Sequence, residues 1–304
     1  MQEVRSAGGG TGVRAPHTMS RMGDVLAGFH ATWEFESDSV LIRYERGIRT
    51  PRLLQVLGER RVPVSALEGV TLVTGKRGTV ILHAQPRPGA DPLMEAAAGQ
   101  LRETSDPYRL MVPAERVALA ERYAGELQAR LSASGPAERH LVDAPGAPRH
   151  FKAYDGKASF DGTSVHFRWS RTGASSAKWK AGDQSFPVAD LGGVEWRSPE
   201  SEGHLRLLHR SPAAGRPDRP DQDPATVVFG LGYGPVHESL PFAAAVLAAV
   251  RARRPVAAVP AAPPGHRDPA GIAERIRHLG ELHRTGLVTD EEFSVKKAEL
   301  LAEL

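Results

Sequence analysis

Val62-Pro-Val-Ser-Ala-Leu-Glu-Gly-Val70 returns further along the chain as Phe186-Pro-Val-Ala-Asp-Leu-Gly-Gly-Val194, with Pro, Val, Leu, Gly and Val in register. A pattern repeated at a domain-sized interval marks one structural unit present twice, so the fold reads as a tandem. The shared residues are apolar, Pro and Gly. They build strands and turns and carry no chemistry, so the repeat speaks to architecture and is silent on activity.

Around each copy the pattern is mostly β. His30–Glu36 and Val40–Tyr44 flank a Ser37-Asp38 turn and read as a hairpin. Gly47–Gly58 reads as a connection, Val62–Val64 and Gly69–Val73 as strands, and Lys76-Arg77-Gly78 as a turn into Thr79–Ala84. Tyr108–Val112 is the last strand before a helix whose apolar positions Val117, Ala120, Ala124, Leu127 and Leu131 fall on one stripe. The second unit repeats the order, from Phe151–Tyr154 through Thr226–Phe229, and ends in a helix burying Phe242, Val246 and Val250. Strongly bent antiparallel sheets or partial barrels, each capped by its C-terminal helix, satisfy this order.

The chain has 304 residues, enough for several cores of ordinary size. Its 25% charged and 40% hydrophobic content is that of a globular protein, and no apolar run approaches the ~18–20 residues needed to cross a bilayer. Residues 1–23 are polar and Gly-rich, read as a disordered tail, and lack the apolar segment of a secretory signal. With no cysteine there is no disulfide, thiolate metal site or Cys nucleophile, which suits a reducing cytoplasm. The net charge of +3 is a weak pointer to polyanions.

Past the second helix, Pro255–Gly265 is Pro- and Ala-rich and reads as a semi-rigid linker. A helical hairpin follows. Asp268 N-caps with Pro269 at the first position, Gly286 ends the first helix, and Thr289-Asp-Glu-Glu292 is a capping box. Ile272, Ile276, Leu279 and Leu282 form the inner stripe of the first helix; Phe293, Leu300, Leu301 and Leu304 belong to the second.

The stretch Ile276–Leu301, with its Gly-Leu-Val-Thr-Asp-Glu-Glu-Phe turn and Lys-Lys-Ala-Glu-Leu-Leu helix, resembles the short C-terminal domain called SHOCT. The tandem units, through Gly89-Ala-Asp-Pro92, Asp106-Pro-Tyr-Arg-Leu110 and Val194-Glu-Trp196, resemble a bacterial domain of unknown function assigned to the pleckstrin-homology-like superfamily. The resemblance implies two such domains at 24–132 and 149–254, a linker at 255–267 and a hairpin at 268–304. It implies an adaptor-like role and supplies no catalytic residues.

Motifs of chemistry are incomplete. Gly230-Leu-Gly-Tyr-Gly234 has Pro235 where a dinucleotide loop needs its third glycine, and reads as a turn. His278 and His283 are five apart, off the shared face that i, i+4 ligands need. Asp155, Asp161, Asp183 and Asp190 mostly lie close to glycines and read as turn residues. Trp33, Trp169 and Trp196 fall in strand patterns, so a core role outweighs stacking on nucleic acid. No catalytic, cofactor or metal residues emerge.

One basic constellation stands out. Arg43, Arg46, Arg49, Arg52, Arg60 and Arg61 crowd one loop region of the first unit, and Lys178, Trp179 and Lys180 form a thinner counterpart in the second. The expectation is a cytoplasmic, non-enzymatic scaffold that self-associates or binds a protein partner through 268–304. The alternative is anion or lipid-headgroup binding at the inner membrane face through Arg49, Arg52, Arg60 and Arg61, with nucleic-acid binding the least favoured.

Overall fold

The computed structural model describes residues 24–200, 203–211, 217–253, 277–280, 283–284 and 289–302. The chain divides into two compact units, Met1–Arg253 and Arg254–Leu304. The tail 1–23 and the linker 255–267 lie outside the described residues.

The first unit is mixed α/β, with four antiparallel sheets arranged as two repeated sheet-rich halves. In the first half, β1 (Asp24–Ala27), β2 (Ala31–Phe35), β3 (Ser39–Tyr44) and β4 (Glu59–Pro63) make a four-stranded sheet in that order. Then β5 (Leu67–Thr74), β6 (Val80–Pro86) and β7 (Arg109–Val112) make a three-stranded sheet, followed by a helix at Val117–Arg130. The second half repeats this with β8 (Arg149–Lys152), β9 (Gly156–Phe160), β10 (Ser164–Trp169) and β11 (Gln184–Pro187). Its three-stranded sheet is β12 (Leu191–Arg197), β13 (His204–His209) and β14 (Thr226–Val228), and its helix is Val236–Ala252. Neither half closes into a barrel.

Strand identity follows from period-two burial. In β2, Ala31, Trp33 and Phe35 point inward; in β10, Val165, Phe167 and Trp169 do the same. The repeated nonapeptide sits at the same place in both halves. Pro63 and Pro187 each end a strand at the free edge of the four-stranded sheet, where a missing N–H costs no ladder bond. Each is followed by one 3₁₀ turn, Val64–Ala66 or Val188–Asp190. The next strand then opens with a register shift, between Leu67 and Gly69 in β5 and between Leu191 and Gly193 in β12. Proline, turn and bulge together swing the chain from one sheet into the other.

The structure adds four elements that strand patterning did not show: β1 and three short helices. Within Gly47–Gly58 lies α1 (Arg52–Leu57); after β6 comes α2 (Pro92–Ala97); the helix Val117–Arg130 is then α3, α4 is Ser176–Ala181 and α5 is Val236–Ala252. Asp91 caps α2 by accepting from Leu93 N, and Pro92 takes its first position. Ser175 caps α4.

The two cores are not independent. Leu53 of α1 and Leu93, Ala96 and Ala97 of α2 belong to the apolar cluster of the second half, beside Phe242, Ala243 and Val246 of α5. Helix α3, by contrast, buries Ala120, Tyr123, Ala124 and Leu127 in the first half's own cluster. Gln100 fastens the junction, donating to Trp196 O at 3.0 Å and accepting from Ser198 N at 3.1 Å. The chain between the halves is held by Arg87, whose guanidinium donates to the carbonyls of Ser65, Gly135 and Pro136.

The second unit contains helical residues 277–280 and 283–284 and α6 (Asp290–Ala302). Its capping box is formed: Thr289 N donates to Glu292 Oε2 at 3.0 Å and Glu292 N to Thr289 Oγ1 at 3.4 Å. The His283 ring stacks on Phe293 with centroids 4.6 Å apart.

Because α2 completes the second core, residues 24–253 should unfold in one transition. Leu93→Ala should lower stability by about 2–5 kcal/mol, the range for a buried leucine, without splitting that transition. Urea denaturation followed by both tryptophan fluorescence and circular dichroism checks this; two separated transitions in the parent protein would contradict it.

Candidate functional site

The arginines of the first half divide into paired and free. Arg60, on edge strand β4, is buried, and its guanidinium meets Asp91 in a two-pronged pair at 2.8 and 2.9 Å. The Tyr108 hydroxyl donates to Asp91 Oδ2 at 2.8 Å, and the Arg60 guanidinium lies 5.8 Å from the Tyr108 ring centre. Burial, with the Asp91 charge beside it, raises the pKa of Tyr108 well above the usual tyrosine value. Tyr44, which donates to Pro107 O at 2.8 Å, is also raised, chiefly by burial. Arg60 is therefore no anion-binding residue: its donors are spent on an internal carboxylate, which corrects its expected membership of a basic surface.

Arg43 and Arg61 are exposed but held. Arg43 donates to Glu34 and Glu59 at 2.6 and 2.8 Å. Arg61 pairs with Glu36, and Ser39 Oγ accepts from it at 3.3 Å. Exposed pairs of this kind are weak and leave the charges available in part. Arg46, Arg49 and Arg52 are exposed in or next to the β3–α1 connection and form no ion pair among the described residues. The structure thus keeps Arg46 and Arg49 on the β3–α1 connection, with Arg52 opening α1 beside them, and removes Arg60 to the interior. Arg49 also rims a small apolar cleft of about 230 Å³ whose walls include Phe29, Leu54, Ile81 and Met111.

In the second half the expected basic counterpart is divided: Lys180 is exposed and Lys178 is not. Lys178 is fully buried, donating to Asp155 Oδ2 at 2.5 Å beneath the Trp169 ring. Desolvation lowers the Lys178 pKa and raises that of Asp155, while each opposes the other's shift. Asp155 also accepts from Val228 N at 3.0 Å; it does lie in the turn between β8 and β9, but buried and tied to Lys178. Asp161 does behave as a turn residue, accepting from Thr163 N and Ser164 N, and these donors hold its carboxyl below the usual range. Trp33, Trp169 and Trp196 are buried, whereas Trp179 is more than half exposed. Gly230–Gly234 closes as a turn through Tyr233 N to Gly230 O at 2.9 Å, with Gly232 and Gly234 at φ 81° and 64°.

Of the hairpin residues, Phe293 and Leu279 are partly buried. Leu300 and Leu301 lie within α6, while Ile272, Ile276, Leu282 and Leu304 lie outside the described residues. Val295, on α6, is 59% exposed.

Sequence reasoning missed the Asp91–Arg60–Tyr108 cluster as a unit, although its parts stood in the segments Asp91-Pro92 and Asp106-Pro-Tyr108. The available signal was a helix-capping aspartate next to proline, which foretells α2. Nothing local could have named Arg60 as its partner, since the two are far apart in the chain.

Asp91→Ala should be among the most damaging single changes in the first half. It strands a buried guanidinium, orphans the Tyr108 hydroxyl and uncaps α2, so a loss of about 3–5 kcal/mol or more is expected in urea titration. Arg60→Met paired with Asp91→Asn should cost less than Asp91→Ala alone, because no unpaired charge is then left inside; a larger loss in the pair would refute this.

A family model described as a domain of unknown function, DUF4429, matches the chain twice, at residues 33–128 and 158–247. Each match begins in or next to the second strand of a half and ends inside its C-terminal helix. No curated protein matches the sequence.

Proposed function

We propose that this chain, which belongs to the DUF4429 family and carries that domain twice, is a non-enzymatic interaction protein whose C-terminal helical segment joins it to a second copy of itself. Each half runs as a four-stranded sheet, a three-stranded sheet and one helix, an order that supports the pleckstrin-homology-like reading of the repeats. The formed capping box at Thr289 and Glu292 supports the SHOCT-like reading of the last segment.

What carries the proposal is a strongly encoded helix, α6, in the short segment 268–304. Segments below roughly 40 residues usually need disulfides, metal or oligomerisation to stay folded, and this chain has no cysteine. On α6 the Phe293 ring is covered by His283 on one side and approached by the Lys297 ammonium, while Val295 stands in solvent. An exposed apolar side chain on the helix of so small a segment is a point of contact open to another chain. The buried charged pairs of the first unit are inaccessible and mutually satisfied, which suits a scaffold better than a reaction centre.

Light scattering after size exclusion tests this on the full chain and on a version ending at Pro264. The full chain should run at a multiple of its 32.7 kDa mass and the shortened chain as a monomer. Equal monomeric masses would refute self-association.

A second reading, attraction to an anionic surface through the first half, is favoured by one observation. Arg46, Arg49 and Arg52 are exposed cations with no ion pair among the described residues.

A further inference from the structure

We infer that both halves present a tip built to enter an anionic lipid bilayer, each tip an exposed aliphatic side chain flanked by three cations. This rests on the anionic-surface reading above and extends it to the second half and to apolar insertion.

Among the described residues, Ile48 and Leu231 are the most exposed large apolar side chains, both essentially naked to solvent. Each sits on a connection and covers nothing in the core, so neither is explained by folding. Ile48 lies between Arg46 and Arg49, with Arg52 opening α1 just beyond. Leu231 tops the Gly230–Gly234 turn. Beside it Tyr233 meets Tyr154 edge-on, centroids 6.1 Å apart, with both rings about half exposed.

The cations of the second tip come from the four-stranded sheet. Lys152 of β8 stands opposite Lys157 of β9, and Lys157 stands opposite Arg168 of β10. Like charges directly opposed across strands destabilise a sheet, so three in one row are a cost to folding. Among the described residues only Asp183 offsets them, 3.8 Å from Arg168. With Tyr154 and Tyr233 these three cations line a cleft of about 400 Å³. The corresponding row in the first half is Ala27, Thr32 and Arg43, one cation in place of three, and Arg43 is paired with Glu34 and Glu59. The second half has therefore gained a charged row that its own fold does not use.

The helices that follow the two tips pack together. Helix α1 packs on α5, and Leu53 of α1 lies in the second half's core. Arg52 is near enough to the first turn of α5 for its charge to assist burial in lowering the His237 pKa. His237 follows the Gly230–Gly234 turn by three residues.

Aliphatic tips framed by cations and tyrosines match the chemistry of a membrane interface. Cations meet acidic headgroups, tyrosines lie at headgroup level, and the aliphatic groups reach the acyl boundary. Neither a neutral membrane nor a soluble phosphate would use all three.

Sedimentation of the full-length chain with vesicles tests this. Vesicles of phosphatidylcholine with phosphatidylserine should bind it at low salt, several-fold less at physiological salt, and pure phosphatidylcholine vesicles should not. Lys152→Ser with Lys157→Ser should weaken binding roughly 25-fold, at about fivefold per charge. Ile48→Ser with Leu231→Ser should weaken it at least fivefold with an unchanged melting temperature, since both residues are outside the core. No binding at low salt would overturn both this inference and the anionic-surface reading. Binding that ignores the Ile48 and Leu231 changes, or the Lys152 and Lys157 changes, would overturn the inference and leave that reading standing.

Discussion

The carboxylate of Asp91 is the constraint on which the first unit turns. It receives the Arg60 guanidinium from the edge of one sheet, the Tyr108 hydroxyl from the approach to the other sheet, and the Leu93 amide at the start of α2. A buried charge is tolerated only when its acceptors are filled, and here three separate stretches of chain fill them. The cluster fixes where α2 begins and which way it points. Because α2 then completes the core around α5, a polar contact inside one half sets the packing of the next.

The second half buries a charged pair at a different place in the fold. Gly156 opens β9 as Ala31 opens β2, so Asp155 takes the place of His30; Lys178 and Leu54 are each the third residue of a six-residue helix. A leucine beneath one corner has become a lysine tied to an aspartate beneath the other, at the price of desolvating both. Such pairs contribute little net stability, yet losing one partner is severe. Two copies of one fold thus keep their backbone plan, including the proline, the turn and the bulge, while the chemistry beneath diverges.

Much of the architecture was legible in the sequence because it rests on short-range rules. The shared nonapeptide, the alternation in Ala31–Phe35 and Ser164–Trp169, and the capping box at Thr289 are each readable within a few residues. The short helices were harder, since six residues span less than two turns and give no periodicity; only their caps betray them. The charged residues were least legible. Arg60 and Arg61 are adjacent and identical in sequence, yet one is buried against Asp91 and the other exposed beside Glu36, because neighbouring strand residues face opposite ways and the partner lies far away in the chain. Lys178 was misplaced because its partner, Asp155, also lies far away in the chain, in the turn before β9.

The helix inserted between β6 and β7 has no counterpart among the described residues between β13 and β14. Among the described residues the first copy thus donates a plug and the second receives it. The two copies share one plan yet are not interchangeable: exchanging their order along the chain would take Leu93, Ala96 and Ala97 of α2 away from Phe242 and Val246 of α5.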